Sequence, residues 1–310
     1  MPNTPVPQNT LLIARARGFW ETDRAQELFP RHILLPAAMN GFSYFVYAPY
    51  VFLSIFFQRP YLIVFGTTMP YAKIYATLRH WGFLKNTRAL TDHQFLQSKD
   101  VQAFERVWVY SKKEIELHEP HVRGRFVFLL YPSKVVRTGE TQQTKEEYIF
   151  SGGNHSRDHE AFLEAMKGLP YKAVVGTNVA LTVPIPHNCE VRSQLPLDEY
   201  ISVMQHARFV VVPLQKGIGA HGHSDLSMAA SLGKVVITTK DAGVDEYIKD
   251  NVTGIFVAPG DVSGYRDAIT RLYEDRGFLA TLEKGAQARK EEFSYDTFAK
   301  KLEQLIQPLC

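Results

Sequence analysis

The chain has 310 residues, of which 45% are hydrophobic and 22% are charged, so it is long enough for two domains with large buried cores. Its only two cysteines, Cys189 and Cys310, exclude a disulfide framework and a cysteine metal site, and they suit a reducing cytoplasm. The N-terminal segment MPNTPVPQNT lacks the basic-then-apolar pattern of a signal peptide. We therefore predict a cytoplasmic protein.

The net charge of +3 is unevenly divided along the chain. Residues 1–140 contain 17 Lys or Arg and 10 Asp or Glu, which gives a net charge of +7. Residues 141–310 contain 18 Lys or Arg and 22 Asp or Glu, which gives a net charge of −4. A basic first half favours an anionic partner, such as a lipid surface or a phosphate-bearing acceptor. An uneven solvated surface explains the same counts equally well. No nucleic-acid partner is predicted.

Strands and helices alternate through the first half of the chain, as hydrophobic periodicity indicates. The predicted strands are 11–16, 32–37, 61–66, 88–95, 106–111 and 125–132, and the predicted helices are 21–28, 41–57, 69–81 and one that begins after Ser111.

The uncharged, aromatic-rich run at 41–57 raises the question of a membrane span. Its 17 residues are at the lower limit for crossing a bilayer, and Pro49 interrupts them. A span here would also place neighbouring strands of one sheet on opposite sides of the membrane. We therefore favour a helix that packs on the sheet, with an aromatic face that enters the membrane interface, over a transmembrane helix. The basic and aromatic segment 79–88 suits a lipid headgroup boundary, or else is a helix end and a loop.

A polar, turn-rich linker is predicted at 133–147, and a second alternation follows it. Two such cycles predict an α/β fold with two Rossmann-like, doubly wound parallel-sheet domains that face each other across a cleft, where the active site is expected. The predicted domains are 1–139 and 140–293, with a C-terminal helix at 294–310 that packs back on the first domain. The predicted strands of the second cycle are 148–153, 172–178, 208–213, 235–239 and 253–261, and its helices are 157–167, 197–207, 225–232, 245–251, 263–275, 278–290 and 294–307.

The stretch at 208–239 organises the second half, because it contains a strand, a glycine-rich loop, a helix and another strand. Gly219 and Gly222 allow a tight turn and a close approach of the backbone to a ligand. Ser224 is the predicted N-cap of the helix, and Asp225 adds negative charge to its first turn. Such a loop offers N–H groups and the positive end of a helix dipole to a phosphate. An ordinary strand-to-helix turn is the alternative interpretation.

Three segments stand in a defined order and spacing: FSGGNHSRDHEAFLEAM at 150–166, GHSDLSMAASLGKVVITT at 222–239 and AGVDEYIKDNVTGIFVAPGD at 242–261. They resemble the donor domain of GT-B fold glycosyltransferases, especially the glycosyltransferase 4-like (group 1) family. The first half is similar more loosely, through TDHQ at 91–94, VYSKKE at 109–114 and YPSK at 131–134. The resemblance implies transfer of a sugar from a nucleotide diphosphate sugar to an acceptor hydroxyl, in cell-surface glycan or glycolipid synthesis, with no cofactor and no required metal.

The resemblance also implies roles for donor-site residues, since a nucleotide diphosphate needs N–H donors and a cation. Arg157 follows the first donor-domain strand, where the family often places a Lys or Arg toward the diphosphate, although an arginine on an exposed helix face is the alternative. Because Arg157 opens a predicted helix and fills no core, its removal is expected to weaken donor binding and to spare the fold. The other predicted donor-site residues are Gly152, Gly153, Thr177, Asn178, Gly219, His221, Gly222, His223, Ser224, Asp225 and Glu246.

One departure from the family pattern concerns Met228, which stands where the family usually has a glutamate that bonds the ribose. A thioether cannot accept that hydrogen bond usefully, and the E-x7-E pair of many retaining members is absent, so retention and inversion both stay open. Asp225 or Glu246 is predicted to hold the nucleotide instead, unless Asp225 only serves the helix dipole. His221 and His223 are placed to reach the leaving phosphate, and their spacing alone does not predict a metal site.

His93 and Asp92 end a predicted strand of the first domain and are the candidates for catalysis. An inverting transfer needs a base within hydrogen-bond reach of the acceptor hydroxyl, and His93, or else Asp92, is the predicted base. A retaining enzyme would use the same histidine to bond the sugar, and a histidine satisfied within a turn is the structural alternative. The acceptor is expected to be a carbohydrate, a lipid-linked molecule or a small molecule.

Two other functions stay open from the sequence. One is a sugar-nucleotide epimerase that acts on the donor itself. The other is a non-catalytic sugar-nucleotide-binding or scaffold protein, which Met228 favours.

Overall fold

The structure is a computed structural model that describes residues 9–15, 18–36, 41–58, 60–66, 69–92, 98–118, 122, 124–135, 147–216, 221–240 and 243–309. The chain divides into two compact units. The first consists of residues 1–129 together with 295–310, and the second of residues 130–294.

The first unit is built on a six-stranded sheet in which every pairing is parallel. Its strands are β1 (Thr10–Arg15), β2 (His32–Leu35), β3 (Leu62–Gly66), β4 (Arg88–Asp92), β5 (Arg106–Val109) and β6 (Phe126–Phe128), and its first helices are α1 (Asp23–Leu28), α2 (Gly41–Gln58), α3 (Met69–His80), α4 (Ser98–Val101) and α5 (Lys112–His118). The strand order is β2-β1-β3-β4-β5-β6. All five residues of β3 are buried, as expected of a central strand covered on both faces.

The second unit has a six-stranded parallel sheet of its own. Its strands are β7 (Tyr148–Gly152), β8 (Lys172–Gly176), β9 (Cys189–Arg192), β10 (Phe209–Val212), β11 (Val236–Thr239) and β12 (Gly254–Val257), and the helices that follow α5 are α6 (His159–Met166), α7 (Leu197–His206), α8 (His223–Ser231), α9 (Val262–Glu274), α10 (Arg276–Arg289) and α11 (Tyr295–Ile306). The order β12-β11-β10-β7-β8-β9 is the Rossmann order, which reverses between β7 and β10. That reversal marks the expected ligand site of the unit. The predicted pair of doubly wound parallel sheets is confirmed.

The last helix, α11, lies in the first unit. Phe298, Leu302 and Ile306 are buried in one apolar cluster with sheet residues such as Leu12 and Val64.

The segment 130–135 lies with the second unit, so the division falls about ten residues before the predicted boundary at 139/140. Two hydrogen bonds explain this position. The amide of Tyr131 donates to Tyr247 Oη at 3.0 Å, and the amide of Ser133 donates to Phe293 O at 2.9 Å.

Helix α2 packs on the sheet of the first unit. Val51 and Ile55 are buried in the same apolar cluster as Ile13 and Phe65, on β1 and β3. Among the described residues, no helix combines the length and the apolar character needed to cross a bilayer.

Several predicted elements differ from the structure in their starts. α6 begins two residues after Arg157, because the Asp158 side chain caps it by accepting from the amide of Ala161 at 3.1 Å. α8 begins at His223, so the predicted N-cap Ser224 lies inside the first turn, and Gly222 is the N-cap with a φ of 80°.

Some short elements of the described structure were not predicted, and the predicted helix at 245–251 does not form. The edge strand β9 and the single-turn helix α4 lie in segments that carry no clear periodicity. The predicted helix at 245–251 is a series of turns, where Tyr247 N–H donates to Val244 O and Asn251 has a φ of 55°. The buried Val244 and Tyr247 are therefore held by turns.

Candidate functional site

A cavity of about 440 Å³ lies in the second unit, beyond the carboxyl ends of β7 and β10. The strand order reverses between these two strands, so the cavity occupies the position that the topology favours for a ligand. The residues that line it are Lys134, Gly153, Asn154, His155, Arg157, Leu195, Leu197, Tyr200, His221, Gly222, His223, Ser224, Asp225 and Met228.

A buried ion pair between Arg157 and Asp225 forms one wall of the cavity. Their side chains are 5% and 10% exposed, and Arg157 Nη2 contacts Asp225 Oδ2. Arg157 also donates through Nε to Gly152 O at 3.0 Å and through Nη1 to His155 O at 2.8 Å. Tyr200 Oη donates to Asp225 Oδ1 at 2.7 Å. Both oxygens of Asp225 therefore have protein partners, so its carboxylate serves to hold Arg157, and its predicted bond to a ribose stays a prediction.

Two glycines at the end of β7 are required by this packing. A Cβ added to Gly152 would lie 2.0 Å from Tyr200 Oη, and a Cβ added to Gly153 would lie 2.4 Å from Arg157 Nε. Gly153 also has a φ of 113°, which L side chains rarely adopt. Its amide donates to Gly176 O at 3.1 Å. The Gly153 amide, which was predicted to bind phosphate, thus already donates a hydrogen bond within the second unit.

The loop after β7 is held by residues that do not themselves line the cavity. Thr177 Oγ1 donates to Gly153 O at 2.9 Å, and the amide of Asn178 donates to Asn154 Oδ1 at 2.7 Å. His159, which sequence analysis missed, donates from Nε2 to the same Gly153 carbonyl at 2.8 Å. Burial lowers the pKa of His159, which keeps the ring neutral. Thr177 and Asn178 therefore support the loop, and direct contacts from them to a donor stay a prediction.

The N-terminus of α8 opens into the cavity. The first helical hydrogen bond runs from the amide of Leu226 to Gly222 O at 3.0 Å, so the amides of His223, Ser224 and Asp225 precede the internal ladder. Within the described part of the chain, no side chain caps this helix end. An uncapped helix N-terminus at a cavity is a favourable position for a phosphate.

His223 stands at the start of α8 as a neutral ring. Its imidazole stacks on Tyr247, with ring centroids 4.8 Å apart and an angle of 11° between the planes. Burial, followed by the charges of His221 and Arg157, lowers the pKa of His223 to about 3. At neutral pH this histidine therefore contributes hydrogen bonding and shape to the cavity, but no positive charge.

Lys134 adds a cation that sequence analysis did not single out, although its motif YPSK was noted. The segment that carries it is anchored by a hydrogen bond of 2.7 Å between Ser133 Oγ and Ser231 Oγ. Among the residues that the structure describes, the lining therefore contains two permanent cations, Lys134 and Arg157, and one carboxylate, Asp225. Together with the α8 dipole, this balance favours an anionic ligand.

Part of the cavity lining is apolar. Met228 is 3% exposed and lines the cavity, as do Leu195 and Leu197. Met228, which stands where the family usually has a hydrogen-bonding glutamate, therefore lies in the cavity lining.

The remaining predicted residues lie elsewhere. Glu246 is not among the residues that line this cavity, and its backbone carbonyl accepts from Arg289 Nη2 at 3.0 Å. Asp92 ends β4 in the first unit and is 2% exposed, so its burial argues against contact with an acceptor. His93 and Gly219 lie outside the described residues. In the described ranges, no three His, Cys, Asp or Glu side chains form a candidate metal site, and metal independence stays a prediction.

Comparison with solved structures identifies the class of the fold. A glycosyltransferase from Rickettsia africae has 12% identity and a TM-score of 0.68, covering 96% of this chain and 89% of that chain. Anabaena Alr3699/HepE, in complex with UDP and glucose, is 13% identical to this chain with a TM-score of 0.72. The match covers 96% of this chain and 99% of that chain. The lipopolysaccharide outer core galactosyltransferase WaaB is 9% identical to this chain with a TM-score of 0.69. The match covers 97% of this chain and 99% of that chain. The two parallel sheets are therefore those of the GT-B fold.

A family match adds the activity to this fold. Residues 139–289 match the model of the family described as glycosyl transferases group 1, and this range covers most of the second unit. The second unit thus matches the group 1 glycosyltransferase model over most of its length, and the protein is a glycosyltransferase. A search among curated proteins gave no significant match. These findings give no support to the epimerase alternative.

Proposed function

We propose that this glycosyltransferase moves a hexose from a uridine diphosphate sugar to a hydroxyl group of a carbohydrate, lipid-linked or small-molecule acceptor. The observation that carries the proposal is the cavity beyond β7 and β10, where Lys134, Arg157 and the α8 N-terminus converge in a group 1 domain. The choice of UDP is supported by the Anabaena structure, whose complex contains UDP and glucose. A role in cell-surface glycan or glycolipid synthesis is supported by the likeness to a lipopolysaccharide galactosyltransferase.

The proposed chemistry centres on the leaving diphosphate. Negative charge grows on it as the bond to the sugar breaks, and donors already oriented toward that position stabilise the transition state. The amides at the start of α8, together with Lys134 and Arg157, supply these donors. Arg157 needs little reorganisation because Asp225 already holds its guanidinium. Since protein cations and amides can carry this stabilisation, we propose that no metal is required.

The acceptor side is assigned to the first unit. We propose that His93, which follows β4, takes the proton of the acceptor hydroxyl in an inverting transfer or bonds the sugar in a retaining one. Asp92 is the weaker candidate because it is 2% exposed. We also place the enzyme in the cytoplasm, at the periphery of a membrane.

The test of donor binding is a thermal-shift series with UDP, GDP, ADP and their hexose conjugates, each with EDTA or with magnesium. A ligand present at about 100 times its Kd stabilises the native state by roughly 2.7 kcal/mol, so UDP compounds should raise the Tm with EDTA present. Lys134→Met should weaken UDP binding about 10- to 150-fold, as expected for a charge-assisted hydrogen bond of about 1.5–3 kcal/mol. The matched control is Lys284→Met, which removes an exposed lysine of the same unit that does not line the cavity.

Turnover is measured separately as UDP release with candidate acceptors. Nuclear magnetic resonance of the product then gives the anomeric configuration, and so retention or inversion. If no nucleoside diphosphate shifts the Tm, or if Lys134→Met and Lys284→Met bind UDP alike, the proposed donor site is wrong.

Met228 favours a second candidate, a protein that binds a sugar nucleotide without transferring the sugar. That function predicts a UDP-dependent rise in Tm without UDP release across carbohydrate, lipid-linked and small-molecule acceptors. Sugar transfer to any acceptor would exclude it.

A further inference from the structure

Helix α2 is apolar on both of its faces. Val51 and Ile55 pack inward, whereas Phe45 and Phe57 on the outward face are 77% and 75% exposed. The other exposed apolar side chains of this face are Val46, Tyr50, Phe52, Leu53 and Phe56. A helix that is apolar all round is normally buried, and a contiguous exposed apolar patch marks an interaction site. The outward face of α2 is therefore a surface that another apolar phase should cover.

The apolar surface continues from α2 across α3. A groove of about 310 Å³ lies between the two helices, lined by apolar side chains that include Phe52, Ile74 and Leu84. Leu84 belongs to the turn after α3, where Trp81 and Phe83 are 69% and 61% exposed. We refer to the outward face of α2, the groove and the turn at 81–85 together as the aromatic surface.

The charged residues of the segment that forms the aromatic surface have one sign, although Glu105 from outside the segment pairs with Arg79 on α3 at 3.1 Å. Between Glu27 and Asp92 the sequence contains no Asp or Glu and six Lys or Arg. Arg31 donates to the Oε1 of Gln58, the last residue of α2, at 2.8 Å, so this base lies at one end of the helix. Lys73 lies on α3, and Lys85 lies on the turn that follows. The surface is thus apolar and flanked by bases.

This charge pattern selects among possible occupants. In a symmetric dimer the same patch meets itself, so the bases of this segment would approach one another, and the segment contains no acid to offset them. An anionic bilayer supplies both missing features, because its acyl boundary accepts aromatic side chains and its phosphates attract Lys and Arg.

We infer that the first unit docks on an anionic membrane surface through the aromatic surface. Helix α2 lies in the plane of the interface, with its outward side chains at the boundary between headgroups and acyl chains. Lys73, Lys85 and Arg31 contact the lipid phosphates. The inward face of α2 stays packed on the sheet, so the helix lies on the bilayer and does not span it. This inference deepens the proposed peripheral location, and it rests on that part of the proposed function and not on the donor site.

Flotation of the full chain tests the inference, with phosphatidylcholine vesicles that contain or lack phosphatidylglycerol. Wild-type protein should float with the anionic vesicles at low salt, and added salt should release part of it. Phe45→Gln combined with Phe57→Gln should lower the partition coefficient on the order of tenfold per side chain. Lys73→Gln combined with Lys85→Gln should lower it about fivefold per base, and only for anionic vesicles.

Matched controls come from the second unit. Ile185→Gln combined with Val252→Gln removes two apolar side chains that are 50% and 53% exposed, and it should leave flotation unchanged. Lys249→Gln combined with Lys284→Gln is the corresponding charge control.

Three outcomes would overturn the inference. The first is the absence of flotation at low salt, and the second is equal flotation of the aromatic-surface variants and their controls. The third is a dimer in sedimentation equilibrium that Phe45→Gln with Phe57→Gln abolishes, because a second copy would then cover the surface. The UDP-dependent Tm shift and UDP release with a soluble acceptor are measured on the same variants. If a variant no longer floats but keeps the UDP-dependent Tm shift and UDP release, membrane docking and sugar transfer are separate properties. If wild-type protein itself shows neither the Tm shift nor UDP release, only the donor-site proposal is rejected.

Discussion

The buried pair of Arg157 and Asp225 allows a quantitative test of the site. Arg157→Met removes the guanidinium and keeps most of its apolar stem. Asp225, whose side chain is 10% exposed, would then keep only the hydrogen bond from Tyr200. Removing one partner of a buried ion pair costs about 3–5 kcal/mol, because the other charge stays desolvated. The structure contradicts the premise that Arg157 opens a helix and is not buried, because the residue precedes α6 and its side chain is 5% exposed; we therefore now expect the fold to depend on it.

A double-mutant cycle isolates the pair itself. Asp225→Asn alone should also destabilise the second unit, because the guanidinium loses its counter-charge. The double variant Arg157→Met with Asp225→Asn should cost less than the sum of the two single variants. We expect a coupling free energy of about 1–3 kcal/mol, the upper range for residues in direct contact.

The distribution of tryptophan makes the assay specific for one unit. The three tryptophans, Trp20, Trp81 and Trp108, all belong to the first unit. In urea titrations, tryptophan fluorescence follows the first unit, and circular dichroism follows both units. With an m-value of about 2 kcal/mol per molar urea, a cost of about 3–5 kcal/mol moves the second-unit midpoint down by about 1.5–2.5 M. The fluorescence transition should stay in place.

An exposed ion pair in the same unit provides the control. Arg192 pairs with Glu190 at 2.7 Å, but their side chains are 37% and 59% exposed, and such pairs contribute at most about 1 kcal/mol. Arg192→Met should therefore shift the midpoint only slightly. If Arg157→Met shifts it no further, or if the cycle shows no coupling, the reasoning from burial is refuted.

Three further outcomes are expected. His93→Ala should lower turnover about 100- to 10,000-fold, the usual cost of losing a general base, and a fall in calorimetric UDP affinity would contradict this assignment. Gly222→Val should abolish UDP binding, because Gly222 has a φ of 80° and an added Cβ would lie 2.9 Å from Leu214 Cδ2, and an unchanged Kd would count against the site. Acid should destabilise the second unit, because burial lowers the pKa of His223 from 6.5 to about 3, so the unfolded state binds its proton more tightly. Stability that is complete above pH 6.5 should fall by up to about 1.36 kcal/mol per pH unit below it, and His223→Gln should flatten that slope in urea titrations.

The fold could be predicted from the sequence because its strands are local apolar signals. The runs at Leu62–Gly66 and Phe209–Val212 are wholly buried, as their composition predicts. β9 carries no such signal, since its residues Cys189–Arg192 are only partly buried or exposed at the sheet edge. Two of its four residues, Glu190 and Arg192, are charged, so apolar periodicity does not reveal this strand, whereas the edge strands β2, β6 and β12 carry apolar runs.

The site was predictable in position but not in its contacts. Arg157 and Asp225 were each selected, but their pairing joins residues 68 positions apart, and residue types alone do not state a partner. Gly152 was predicted as a backbone donor to the diphosphate, whereas the structure shows that its missing side chain makes space for Tyr200. Likewise, Ser224 has the local preference of an N-cap, but the left-handed Gly222 ends the loop two residues earlier.

The pairing of Arg157 with Asp225 also gives a physical account of Met228. Residues 225 and 228 are one turn apart on α8, so their side chains share a face of the helix. A glutamate at 228 would place a second carboxylate beside Asp225, where the two would repel each other and compete for one guanidinium. Once Asp225 supplies the negative charge that holds Arg157, an uncharged side chain at 228 avoids that conflict and closes the apolar wall. Met228 is therefore compatible with the Arg157–Asp225 pair, and the measurement of UDP release with an acceptor decides between sugar transfer and binding alone.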